Sequence, residues 1–586
     1  MATFSLTDFL KEARRRRVFR LVALYIVGAW VALQAADLAF PGLSIAESAI
    51  RYVWMGAILG LPIALFLGWR YDIIGGRIVR TAVSDVDVDP SIGRADYAIL
   101  AALLVVVAVT AFGLIGEISK TRITEPARFS VTDIDPRSIA VLPFVNMSDD
   151  ASNEYFADGL SEELLNLLAK IPELRVAART SSFSFKDQNL EIPVIAARLN
   201  VAHVLEGSVR KAGNQIRITA QLVKADDGFH VWSKTYDRKL ENIFAVQDEI
   251  AAAVVDALKI TLLGEAPKAT ETNPEAYALY LQGRYFYNQG TAESNKQAET
   301  LLMQALDIDP SFAPAWTELA SVYWMQAGNF GYRPTEEDIE LAHHAIQQAL
   351  DIESEYGRAY AILARIEMFY DWDFAAASRH LQHALALDSG DAAILYSVAR
   401  LSDILGDIDE AIYLMQQSIA RDPVSPVGHF SLGRLYYRAH RLEEAADSFQ
   451  MALSLSPGRV AVQLYIGLVL QAQGDAPAAL VAIEKESSEV LRLFGTAIFQ
   501  YALGDAAASD AALEELIDKY AAVAAYQIAY VHAMRGEIDN AFDWLEQAYD
   551  NRDGGLPSML LEPQLANLHD DPRWPVFLVD KMGLPH

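Results

Sequence analysis

Few side chains in this sequence have both the type and the spacing for chemistry. The acidic cluster Asp149, Asp150, Asp158, Glu162 and Glu163 invites a paired-carboxylate reading. Glu162 and Glu163 are neighbours on an expected helix and so point to different places. Asp158, near the start of that helix, is more simply a cap or a partner for the helix dipole. Gly159 stands alone and matches no phosphate-binding loop. His380 and His383 lie three apart, with His343 and His344 one repeat earlier, but no carboxylate stands at a fixed spacing to complete a metal site. Trp316, Trp324, Trp372 and Trp544 read as packing residues. The chain has no cysteine, which removes disulfides, thiolate metal sites and cysteine nucleophiles together, and no G-x-S-x-G marks a serine nucleophile. Neither a catalytic residue, a metal nor a cofactor is expected. What remains is arginine. Arg400 and Arg434 are 34 residues apart in an acidic chain, and guanidinium forks suit carboxylates.

The elements that hold these residues follow from the whole chain. At 586 residues it exceeds one ordinary core. Its formal net charge of −29 repels a phosphate backbone, so no nucleic acid is expected as a partner. Val18 to Leu38, Tyr52 to Trp69 and Tyr97 to Ile115 are apolar and long enough to cross a bilayer, so three transmembrane helices are expected over residues 18–115. Lys11 and Arg14 to Arg17 precede the first, with Arg20 at its start, and Arg70, Arg77, Arg80 and Arg94 lie between the second and third, against Arg51 alone in the first loop. That bias makes the basic tail 1–17 cytoplasmic and delivers everything after about residue 116 to the far side, the periplasm of a bacterium whose inner membrane holds the anchor. The arginine cluster also suits anionic lipid of the bilayer.

After a polar linker at 116–136 comes a mixed region, 137–263. Ser138 to Asn146 and Leu174 to Ala178 read as strands, Asp158 to Lys170 as an amphipathic helix, and Pro193 to Leu199 as a short helix. Ala202 to Arg210, Gln215 to Lys224 and His230 to Arg238 read as hairpin strands, and Leu240 to Leu262 as a closing helix. This order gives an α+β domain with helices over a hairpin-rich sheet. The runs SIAVLPFVNMSDDASNEYFADGLSEELLNLLAKIPELRVAARTSSFSFK and VLEGSVRKAGNQIRITAQLVKADDGFHVWSKTYDR resemble the domain related to the amino-terminal domain of TolB. That resemblance implies a non-catalytic domain of envelope systems. Related chains sometimes carry a nucleotide cyclase or a winged-helix DNA-binding domain, for which this sequence has no room, so neither activity is carried over.

From about Asn273 a period replaces the strand signals. Ala399, Gly433 and Gly467 are spaced by 34, as are Gly406, His440 and Gly474, and Ala411, Ala445 and Ala479. Small residues let paired helices approach, a turn joins them, and proline at 423 and 457 ends the second helix. The pattern resembles tetratricopeptide repeats, giving about eight helix pairs over 273–550 and a Pro-rich cap over 551–586. With Ala399 at position eight, the family's groove positions fall on Tyr277, Tyr280, Arg284, Tyr287, Trp324, Arg365, Tyr396, Arg400, Phe430, Arg434, Tyr437 and Arg438. Arg284, Arg365, Arg400 and Arg434 then share one repeat position beside aromatics. Such a groove suits an acidic peptide or a carboxyl terminus; alternatively, each arginine pairs with an acid of an adjacent repeat.

The expected whole is multidomain: three transmembrane helices, a TolB-N-like α+β domain and an all-α tetratricopeptide superhelix. Its expected role is that of an inner-membrane-anchored periplasmic scaffold that binds other proteins or peptides and catalyses nothing. The alternative is a signalling component that couples binding outside to a regulator inside. A homo-oligomer is left open.

Overall fold

The structure, a computed structural model, describes Tyr25, Gly60 and residues 71–74, 77–80, 134–260, 268–328 and 336–585, and it divides into two compact units, Met1–Thr132 and Asp133–His586. In the first unit β1 (Tyr71–Ile74) and β2 (Arg77–Arg80) form an antiparallel pair with Tyr71 opposite Arg80. The fold class expected from sequence is corrected here. Among the described residues no helix is long and apolar enough to cross a membrane. The apolar stretches 18–38, 52–69 and 97–115 lie outside the described residues, apart from Tyr25 and Gly60, which are helical. A strand pair stands where the sequence reading ran a basic connecting loop. Apolar length is what a bilayer requires, but it does not by itself distinguish a span from other apolar packing.

The second unit begins with a mixed sheet. Its strands are β3 (Ser138–Val141), β4 (Val145–Asn146), β5 (Arg175–Val176), β6 (His203–Ala212), β7 (Gln215–Lys224) and β8 (His230–Lys239), in the order β5-β3-β6-β7-β8, with β4 beside the far end of β6. Pairs among β3, β4, β5 and β6 are parallel and the two hairpins antiparallel, so the sheet is less hairpin-dominated than the sequence reading held. Gly213 and Gly228 turn the hairpins with φ of +58° and +70°. Ile139 and Val141 face one layer, while Ala140 faces another, so β3 is buried on both sides. On β7, Ile216, Ile218, Ala220 and Leu222 point inward while Gln215 and Arg217 are exposed, the period-two pattern of a sheet with one wet face.

Helices α1 (Glu154–Ala169) and α4 (Ile243–Ala257) cover the inner face of the sheet, while α2 (Arg179–Phe183) and α3 (Ile192–Leu199) lie on the other. Eight helix pairs follow among the described residues. They are α5 (Pro274–Tyr287) with α6 (Ala292–Ile308), α7 (Ala313–Gly328) with α8 (Glu336–Ile352), α9 (Gly357–Ile366) with α10 (Phe374–Leu387), and α11 (Ala392–Ile404) with α12 (Ile408–Arg421). Then come α13 (Pro426–Arg438) with α14 (Leu442–Leu455), α15 (Val462–Ala472) with α16 (Ala476–Ile483), α17 (Glu489–Ala502) with α18 (Ala506–Tyr520), and α19 (Ala525–Met534) with α20 (Ile538–Asp550). The small residues of the period sit where two helices touch. A Cβ on Gly433 would meet the Phe449 ring at 2.6 Å, and one on Gly467 the Phe499 ring at 2.6 Å. Gly406 and Gly474 hold the turns at φ of +88°, and Asp407 and Asp475 cap the helices that follow.

Two features of the packing bear on function. The inner face of the sheet and the first repeats form one apolar core, from Ile139 and Leu160 through Tyr277 and Leu281 to Ile362. The final segment does not extend the array. It folds into short helical turns at Leu556–Leu561, Pro563–Leu568 and Val576–Lys581, and its Leu556, Met559, Leu565 and Phe577 enter the core of the later repeats.

Candidate functional site

The groove residues expected from sequence lie on the inner helices, in three different circumstances. Arg284 on α5 is 1% exposed. Its guanidinium donates to the carboxylates of Glu162 and Glu163 on α1 and to the Tyr280 hydroxyl at 2.8 Å. Arg179 reaches Glu162 at 2.8 Å, and beyond Arg284 the buried Glu318 holds Arg358 at 3.0 Å. Charges therefore alternate along a chain buried at its centre and half-exposed at its two ends, Arg179–Glu162–Arg284–Glu318–Arg358. Burial pushes the Glu162 carboxyl up, but Arg284, Arg179 and Arg358 outweigh it and hold it below the usual carboxylate range. Tyr277 accepts from Gln247 of α4 at 2.6 Å, and Tyr287 packs half-buried against the same core. At this end the partner of the expected groove is the chain's own α/β domain.

Arg400, Tyr437 and Arg438 are also buried, and again the occupant is internal. Asp403, 2% exposed, takes Arg400 at 2.6 Å and is shared with Arg438. Arg438 also donates to Glu562, and Gln564 donates to the Tyr437 hydroxyl. Ser558 accepts from Arg400 at 3.2 Å through its hydroxyl and from Arg438 at 3.2 Å through its carbonyl. The final segment thus lies on the inner helices of the fourth and fifth pairs, as an acidic peptide would. Asp403 stands on the same helix as Arg400 and one repeat before Arg438, and Glu562 belongs to the chain's own final segment, so this part of the expected groove is filled from within the chain.

The third group is less satisfied. Arg365 on α9 is half-buried 6.0 Å from the Trp324 ring centre, and among the described residues it has no ion-pair partner. Arg434 lies 5.4 Å from the Tyr465 ring centre, with Glu562 no nearer than 3.8 Å. Arg459 lies 5.3 Å from the Phe430 ring centre, and the Nε atoms of Arg434 and Arg459 are buried without a hydrogen-bond partner. The Phe430 and Tyr465 rings meet edge to face at 5.4 Å, and the Tyr396 hydroxyl is 3.2 Å from Ser431 Oγ. Sequence reasoning missed Arg459 because groove positions were counted only on the inner helices, and Arg459 stands in the turn before α15. Its signal is a cation directly after the Pro457–Gly458 turn.

The remaining candidates are occupied structurally. Asp158 and Glu154 pair with Lys186 at 2.6 and 2.8 Å. His380 bonds Glu367 at 2.9 Å and His343 bonds Asp371 at 3.0 Å; no group of three metal-ligating side chains occurs among the described residues. Gly159 is a packing residue, for a Cβ there would meet Leu281 of α5 at 2.7 Å.

Comparison with known proteins gives the repeats their identity. Family models described as "Tetratricopeptide repeat" match residues 426–459 and 372–426, and the chain carries such repeats. Residues 135–253 match a model described as "HilA/YgeH-like transcriptional regulator, second domain". A Rhizobium meliloti (strain 1021) protein named "Putative adenylate cyclase 3" is 43% identical over 189 residues, 32% of each chain, so the match spans about a third of that relative. Among solved structures, Pseudomonas aeruginosa pilF is 18% identical, with 36% of this chain and 93% of that one covered at a TM-score of 0.30. The human IFIT1 dimer with m7Gppp-AAAA is 14% identical, with 53% and 79% covered at a TM-score of 0.36.

Proposed function

We propose that this protein is an interaction scaffold that docks carboxylate-bearing segments of other proteins on the stretch of inner surface around Phe430, Arg434, Arg459 and Tyr465. Tetratricopeptide repeats generally mediate binding to other proteins, and that coarser role is carried by the repeats themselves. The observation that supports the finer reading is the weak pairing of two cations beside aromatic rings: Arg459 has no ion-pair partner among the described residues and Arg434 reaches Glu562 only at 3.8 Å, within a chain of net charge −29. A hydrogen bond to a charged group contributes about 1.5–3 kcal/mol, so an incoming carboxylate gains where these two guanidinium groups are held. Arg284, Arg400 and Arg438 already hold carboxylates and serve the fold.

Crosslinking in intact cells followed by mass spectrometry tests this reading. Partners recovered with the full chain are lost on the double change Arg434→Gln and Arg459→Gln and retained in Arg365→Gln. An unchanged partner set rejects the site. In this reading the chain binds and catalyses nothing, and formation of cyclic nucleotide from ATP by the purified chain would contradict it. The periplasm remains the proposed compartment of the repeats, and alkaline phosphatase fused after residue 120 reads it directly, an inactive fusion reversing it.

The matches to a domain of a transcriptional regulator and to part of a protein named as a cyclase favour a second reading, in which the α/β domain and repeats form the regulatory half of a signalling system. Altered transcription on removing residues 1–17, with the rest of the chain retained, separates it from a passive scaffold.

A further inference from the structure

A cleft of about 310 Å³ opens where the α/β domain meets the repeats, away from the inner arginines. One wall is the end of α1 with the following turn and β5; the other is the turn between α10 and α11 with the last residue of α12. Glu173, Arg175, Asp388 and Arg421 line it half-buried, and Arg137 and Lys170 stand exposed at its rim. None of these six side chains has an ion-pair partner within 4 Å among the described residues, although opposite charges share the cleft. The guanidinium groups of Arg175 and Arg421 are turned to backbone carbonyls, those of Ala420 and Gln417. Both carboxylate oxygens of Glu173 are buried and accept no hydrogen bond. Burial and the neighbouring Asp391 raise the Asp388 carboxyl to about 6, and burial and the nearby Arg175 push the Arg421 guanidinium down. Asp388 accepts from Gly390 N at 3.2 Å, so Glu173 is the acid left with no partner, and a carboxylate whose oxygens are buried in that state is costly unless something meets it.

The walls do not move freely against each other. Ala178 N donates to Arg421 O at 2.7 Å, Ser181 Oγ to Asp422 at 2.5 Å, and Val424 N to Ser181 Oγ at 3.0 Å. The cleft is therefore held open by a joint, with Arg175 and Arg421 and the acids Glu173, Asp388 and Asp135 half-buried around a space of small-molecule size. An anion alone would satisfy Arg175 and Arg421 but leave Glu173 orphaned. A cation alone would do the reverse.

We propose that the cleft binds a small zwitterion of the α-amino acid type, its carboxylate on Arg175 and Arg421 and its ammonium on Glu173 and Asp388. The site shares no residue with the proposed protein-docking surface, so either can fail without the other. Bound there, the ligand bridges the α/β domain and the repeats and stabilises their joint by mass action.

Isothermal titration calorimetry of the full chain with each common amino acid tests the proposal, with propionate, propylamine and inorganic phosphate as single-charge probes. At least one amino acid is expected to bind and to raise the melting temperature, while the single-charge probes at equal concentration do neither. Glu173→Gln and Arg421→Gln each weaken that binding on the order of tenfold or more, with far-ultraviolet circular dichroism reporting whether the variants keep the fold. Silence with every amino acid overturns the proposal, as does phosphate binding as tightly as the best amino acid, since the site would then read an anion only. Binding that survives both substitutions in folded protein places the ligand elsewhere and overturns it too.

Discussion

Asp403 carries the charge balance of the inner surface at the residue scale. It lies between Arg400 and Arg438, 2% exposed, so removing its charge leaves the buried Arg400 guanidinium without a carboxylate and Arg438 with Glu562 alone. Breaking a buried pair of this kind costs roughly 3–5 kcal/mol, and Asp403→Asn should lower stability to urea by about that much at neutral pH. The acid limb gives a second reading of the same residue. Burial raises the Asp403 carboxyl, but Arg438, Arg400 and Arg434 outweigh burial and depress it below its ordinary value. The unfolded chain therefore takes up this proton first as pH falls. Asp403 contributes stability that is fully present above the unfolded value, near 3.8, and that is lost as pH drops through the lower folded value. Urea midpoints measured from neutral pH down to about 3 should fall less steeply in Asp403→Asn than in the parent chain. Equal slopes would show that Asp403 is not held charged by the arginines. Sequence reasoning placed Arg400 and Arg438 on the inner surface but not Asp403, which follows Arg400 by three residues on the same helix. An acid so placed on a helix is commonplace, and only the fold shows which of 77 acidic side chains it distinguishes.

The final segment is the element whose role the sequence half disclosed. Its prolines and apolar residues read as a cap because they break the 34-residue period, but period cannot say where a non-repeating segment goes. In the structure it turns back along the inner surface as far as Tyr370 and Trp372, where Arg552 donates to the Tyr370 carbonyl at 3.3 Å and lies 4.7 Å from the Trp372 ring centre. A segment in a groove can be a removable lid or a permanent part of the core, and magnitude decides between them. Leu556, Met559, Leu565, Leu568, Phe577 and Leu578 are each no more than 2% exposed. At roughly 1.5–3 kcal/mol per fully buried apolar side chain, with an unfolded reference that makes the sum an upper value, they contribute on the order of 10 kcal/mol. That is the whole binding energy of a nanomolar partner, about 12 kcal/mol, so displacement is out of reach for an ordinary ligand. Truncation after Asp550 should therefore yield a chain that binds a hydrophobic dye and melts without a sharp transition. A truncated chain that melts as cooperatively as the parent and gains affinity for acidic peptides would make the segment a lid.

At the scale of the molecule, the sequence divided residues 137–263 from the repeats by the change of periodicity, and the structure joins them in one unit. The two statements answer different questions, because periodicity reports the local element while cohesion depends on which faces meet. Gly159 and Leu281 are 122 residues apart, and nothing along the chain reveals that one must lack a side chain for the other to fit. The same holds for Glu162 and Glu163, read only as helix neighbours that point apart, and for Arg284, read as a groove residue, until α1 is laid against α5. The domain boundary visible in the sequence is thus a boundary of pattern and not of stability. A fragment spanning residues 134–268 would expose the face of α1 around Gly159, strip Arg284 from Glu162 and Glu163, leaving Glu162 with Arg179 alone, and lose the Tyr277 and Leu281 side of its core. Such a fragment should lack a cooperative thermal transition, whereas one spanning residues 134–390, which restores the first three helix pairs, should recover it. Circular dichroism melts of the two fragments decide the matter: a sharp transition in the shorter one means that the α/β domain is self-sufficient, and that the buried chain of alternating charges is a contact between two independent bodies.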